Sequence, residues 1–96
     1  MPETKKIDVM KATQIAMLYF RKLYRTGLMR VRIEEAEMTK DEKYWLITIG
    51  YDIPGTSGAS IADSLAGKRP LPLREYKEIQ VDATTGEVKY MRIRKL

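Results

Sequence analysis

The chain contains no cysteine and no histidine. The first absence excludes disulfides, thiolate nucleophiles and cysteine metal sites. The second removes the commonest general base together with the commonest zinc ligand. No stretch approaches the roughly 18 continuous apolar residues that a membrane span requires. The polar start Met1-Pro2-Glu3-Thr4-Lys5-Lys6 leads into apolar residues interrupted by Lys11 and Gln14, which is not the pattern of a signal-peptide core. These absences set the expectations: no enzyme chemistry, no cofactor, no metal, no membrane and a cytoplasmic location.

What remains is enough for one folded unit. Ninety-six residues, 44% hydrophobic and 32% charged, describe a single globular domain with one core. Eighteen cations against thirteen anions leave a net charge of +5, which permits an acidic partner or a nucleic acid without requiring either.

The order of elements reads as α+β, one N-terminal helix on a four-stranded antiparallel sheet. The helix spans about 8–26: Asp8 is an N-cap, Ile7 a staple and Gly27 a C′ stop. Val9, Ala12, Ala16, Tyr19, Phe20 and Leu23 share one side, with Lys11, Gln14, Arg21, Lys22 and Arg25 on the other. Strands are expected at about 29–38, 44–53, 74–82 and 87–94, with a bulge near Glu34-Glu35 where the alternation slips. Residues 54–73 read as a long flexible loop, with one helical turn over Ile61–Ala66. The expected core is Val9, Ala12, Ala16, Phe20, Leu23, Val31, Ile33, Trp45, Ile47, Ile49, Ile79, Val81 and Val88. Gly86 supplies the positive φ that the tight turn after Asp82 needs.

The run from Tyr76 to Val88, containing Val81-Asp82-Ala83 and then Thr85-Gly86-Glu87-Val88, resembles the closing hairpin of PepSY domains. The helix followed by a charged strand is similar to that family's opening. The resemblance implies a cystatin-like fold, a helix on a curled antiparallel sheet, and a non-catalytic module that binds or restrains partner proteins. It supplies no catalytic residues. The chain departs from the family in its long central loop, and its polar start does not show the leader expected of those usually exported relatives.

Several residue groups bear on function. Ser57, Ser60 and Ser64 near Lys68 could in principle form a Ser-Lys dyad, but a Gly/Ser-rich loop does not desolvate a lysine, so a solvated linker is the better reading. Gly67-Lys68 is followed by Arg69-Pro70 and so lacks the hydroxyl and helix of a phosphate loop. Glu34, Glu35, Glu37, Asp41 and Glu42 read as a solvated strand end and turn. Leu18 stands out of pattern amid the basic helix face. Together with Arg21, Lys22, Arg25, Lys68 and Arg69 it forms the candidate partner-binding set. Two readings follow. One is a protein-interaction module whose concave sheet face or Pro54–Pro72 loop is the contact surface, and which also self-associates through a sheet edge or open face. The other is a small basic nucleic-acid-binding protein, with Tyr44, Tyr76 and Tyr90 as stacking rings among the cations.

Overall fold

The computed structural model describes residues 5–25, 27–57 and 72–95. Its elements are α1 (Val9–Leu23), β1 (Met29–Met38), β2 (Tyr44–Ser57), β3 (Pro72–Asp82) and β4 (Val88–Ile93). The strands form one antiparallel sheet in the order β1-β2-β3-β4, and α1 packs on one face. The α+β expectation is met.

Asp8 caps α1 by accepting the Lys11 backbone N–H at 2.8 Å. The helix stops at Leu23, short of residue 26. Tyr24 leaves helical geometry at φ −121° and ψ 78° while its N–H still bonds the Phe20 carbonyl. Its ring then packs 4.9 Å from Phe20 and 6.1 Å from Tyr51, a gain the helical continuation would forfeit. Gly27, at φ 89°, serves the reversal into β1 and not the helix end.

Ala12, Ala16 and Phe20 are fully buried against Ile47, Ile49, Tyr51, Ile79 and Val81. The two alanines allow close approach of helix and sheet. Val9 and Leu23 do not belong to this core: they are 40% and 54% exposed, at the first and last positions of the helix. Val31, Ile33, Trp45 and Val88 pack around it half-buried. Tyr51 and Ala83 join it unforeseen. Tyr51 is too large to leave the face it shares with Ile49, and its hydroxyl donates to Glu75 at 3.0 Å.

The bulge at Glu34-Glu35 is present as a register shift between Ile33/Glu35, and a second shift lies between Met29/Arg32, where Arg30 has φ 51°. The arms of the expected loop are strand: β2 runs on to Ser57 and β3 begins at Pro72. The expected turn at Ile61–Ala66, the serines Ser60 and Ser64, and the cations Lys68 and Arg69 lie outside the described residues.

The hairpin turn between β3 and β4 holds the helix in place. Asp82 accepts the N–H groups of Thr84 and Thr85 at 2.7 and 2.9 Å, which holds its carboxyl below the usual range. Gly86 takes φ 78°, and its N–H bonds the Asp82 carbonyl. Buried Ala83 then donates to the Lys43 carbonyl and accepts from Ile7 N–H at 2.7 Å, while the Trp45 indole donates to the Ile7 carbonyl at 2.9 Å. The Val-Asp-Ala and Thr-Gly-Glu-Val run is therefore the fastening for the start of α1.

Candidate partner-binding site

The sheet has a second face, away from the helix, where strand alternation places Thr48, Gly50 and Asp52 of β2 beside Arg74, Tyr76 and Glu78 of β3. Thr48, Asp52 and Glu78 are almost fully buried although no helix covers them, because arginine side chains lie over them. Asp52 accepts from Arg30 Nε at 2.5 Å and Arg74 Nη1 at 3.0 Å. Arg74 also bonds Glu34, which holds Arg32 as well at 2.9 Å. Glu78 accepts from Tyr90 Oη and Arg92 Nε, each at 2.9 Å. Arg94 reaches Thr48 Oγ1 at 2.6 Å and Glu35 at 3.0 Å, linking the two edge strands across the face.

This lattice depends on Gly50. A Cβ there would stand 2.8 Å from Glu34 Cγ and 2.9 Å from Arg74 Nη2, so a side chain would displace the guanidinium and carboxylate that meet above the strand. The charges set the titration. The guanidiniums of Arg30, then Arg74, hold the Asp52 carboxyl low; Arg32, then Arg74, do the same for Glu34. Burial, and next the Glu78 carboxylate, push the Tyr90 hydroxyl up, and burial and Glu75 do so for Tyr51. Glu34 and Glu35 are thus ion-pair partners and not merely the solvated strand end anticipated from their clustering.

The outer face of α1 differs. Lys11, Arg21 and Lys22 of α1 and Arg25 just beyond it are exposed, and among the described residues none of these four makes an ion pair. From Val9 to Leu23 the helix contains no carboxylate to answer them. Leu18 lies among them, 63% exposed, and Met10, 67% exposed, stands two turns earlier on the same side. The structure therefore brings Leu18, Arg21, Lys22 and Arg25 onto one surface.

The three tyrosines expected among the cations lie elsewhere. Tyr44, Tyr76 and Tyr90 sit on the polar face of the sheet, with the core between them and the free cations. There Arg74 lies 5.8 Å from the Tyr76 ring and Arg92 lies 4.8 Å from that of Tyr90, and both guanidiniums already serve carboxylates. The sequence shows which residues are basic but not which have partners. Pairing across β1, β2, β3 and β4 depends on register, and the only local hint was the glycine in mid-strand.

Among the described residues no group of carboxylates has the arrangement of a metal site, and no helix is long and apolar enough to cross a membrane. The class that fold and surface define is an α+β domain of one helix on a four-stranded antiparallel sheet. Compared with family models, curated proteins and solved structures, the chain matches none of them.

Proposed function

We propose that this chain is a non-catalytic protein-interaction module of the PepSY-like kind, docking an acidic partner protein through the outer face of α1. The observation that carries the reading is the unpaired cationic set Lys11, Arg21, Lys22 and Arg25 around exposed Leu18, on a helix without carboxylates. Four cations with no ion-pair partner among the described residues attract acidic surfaces and steer their approach. An exposed leucine at their centre offers an apolar contact of the sort that anchors protein interfaces. The helix-on-sheet architecture and the Tyr76–Val88 hairpin are what a PepSY-like relationship calls for. A cytoplasmic setting belongs to the same proposal, since a chain without cysteine loses nothing in a reducing compartment.

The second reading, a nucleic-acid-binding protein, uses the same cations. Single-strand binding needs rings among the charges, and here Tyr44, Tyr76 and Tyr90 lie on the opposite side of the domain from the four helix cations, beside which stand only the half-buried Tyr19 and Tyr24. That separation favours a protein partner.

Capture from source lysate with wild type, Leu18→Ser and Arg21→Glu/Lys22→Glu, with and without nuclease, separates the two. A discrete protein that survives nuclease and is lost with both variants supports the module. Recovery of nucleic acid that depends on the charges, falls steeply with salt and ignores Leu18→Ser overturns it.

A further inference from the structure

We propose that the free edge of β4 is a self-pairing surface, joining two copies of this chain antiparallel about a two-fold axis at Met91. The sheet has two open edges, and they are unequal. The β1 edge is interrupted by two register shifts and a residue at positive φ, devices that blunt an edge against pairing. The β4 edge carries one such shift, at Lys89 between Val88 and Tyr90, and from Tyr90 to Ile93 it runs in unbroken register with β3.

The ladder shows which backbone groups are available. Arg94 N–H bonds the Tyr76 carbonyl, so the pairs Arg92–Glu78 and Tyr90–Gln80 exchange bonds toward β3. Met91 and Ile93 therefore point their N–H and C=O outward, away from the sheet. Ile93 is 64% exposed, a large apolar side chain at an unpaired edge.

Side-chain chemistry selects the occupant and the register. With Met91 opposite Met91, Tyr90 of one copy faces Arg92 of the other, twice. That repeats between copies the cation–ring contact found at 4.8 Å within one. Ile93 then lies opposite the bulged Val88–Lys89 step of the other copy, where Lys89 is paired with Glu87. A register centred on Arg92 sets arginine against arginine; one centred on Ile93 sets Arg92 against Arg94; one centred on Lys89 sets lysine against lysine. A Tyr90 centre avoids repulsion but gives up both arginine–tyrosine contacts. Only a second copy presents this complement. A single strand pair is smaller than a standard interface, so the dimer is weak and concentration-dependent.

Because the chain has no cysteine, one introduced residue reports the axis. In Met91→Cys the two thiols face each other across a hydrogen-bonded pair, with Cα atoms about 5.5 Å apart, within disulfide range. We expect mild oxidation of concentrated full-length Met91→Cys to yield covalent dimer, and Lys89→Cys to yield several-fold less. Sedimentation velocity should show wild type moving from monomer toward dimer with concentration. Ile93→Pro, which removes only an outward N–H, and Ile93→Lys, which sets lysine against Lys89, should both stay monomeric with unchanged circular dichroism. A wild type that stays monomeric, a dimer that survives both Ile93 variants, or equal cross-linking from both cysteines would each overturn the proposal. A dimer abolished by Arg21→Glu/Lys22→Glu and not by Ile93→Lys would instead place self-association on the helix. The result is independent of whether α1 binds an acidic partner.

Discussion

The polar face of the sheet and the outer face of α1 carry the same kinds of cationic side chain and use them in opposite ways. On the sheet, Arg30, Arg74, Arg92 and Arg94 lie across Asp52, Glu78, Thr48 and Glu35 and are spent within the fold. On the helix, Lys11, Arg21, Lys22 and Arg25 have nothing to answer them. The net charge of +5 is therefore misleading as an average, because the sheet face is nearly self-neutralised and the helix face is not. A basic composition becomes a binding surface only where the fold supplies no carboxylate.

The comparison predicts unequal costs for similar substitutions. Arg74→Ala should have the largest effect, about 2–3 kcal/mol by urea denaturation, because it leaves buried Asp52 short of a donor and removes one of the two guanidiniums on exposed Glu34. Gly50→Ala should cost about 1–2 kcal/mol, against the slight gain usual for replacing a strand glycine, since its Cβ displaces the same pair. If Gly50→Ala is neutral, the lattice is looser than the geometry implies.

Acid should act on the polar face of the sheet and on the Asp82 turn that fastens α1, and spare the outer face of the helix, which carries no carboxylate. Asp52 and Glu34 titrate below their ordinary values in the fold. Their contribution is fully present above the unfolded-state pKa of about 4 and disappears as pH falls through the lower folded-state values. Stability should therefore be level from about pH 7 to 5 and decline below about 4, and Arg74→Ala should flatten that decline. Smallest of all, Arg21→Ala and Lys22→Ala should change stability by no more than about 0.5 kcal/mol while weakening any acidic partner. A loss of a full kcal/mol from either would mean that the helix face has structural partners too.

Much of the fold follows from local signals. Asp8 as cap, the Ala12-Ala16-Phe20 stripe, the alternation through β2 and the turn at Gly86 each act over a few residues, and each appears where its pattern placed it. Val9 and Leu23 fit the same stripe yet stand exposed, because periodicity gives the side of a helix and not how deeply its terminal residues are covered. Tyr24 ends α1 early because a distant ring, Tyr51, competes for it. The helix part of the candidate site was likewise readable, since Leu18, Arg21, Lys22 and Arg25 recur at helical spacing. The neutralisation of the sheet arginines was not: apart from Arg32 with Glu34, its bonds join residues far apart in sequence, such as Arg94 with Glu35.

The bond from Ile7 N–H to the Ala83 carbonyl, with the Trp45 indole on the Ile7 carbonyl, has a kinetic consequence. Strands that neighbour one another in sequence also neighbour one another in the sheet, so each hairpin can close over a limited stretch of chain. Fastening the start of α1 closes nearly all of it, and can happen only after the last turn exists. The helix is first in the sequence and should be last to be secured. Substitutions along α1 should then speed unfolding and leave the folding rate almost untouched, while those in β2 and β3 should slow folding.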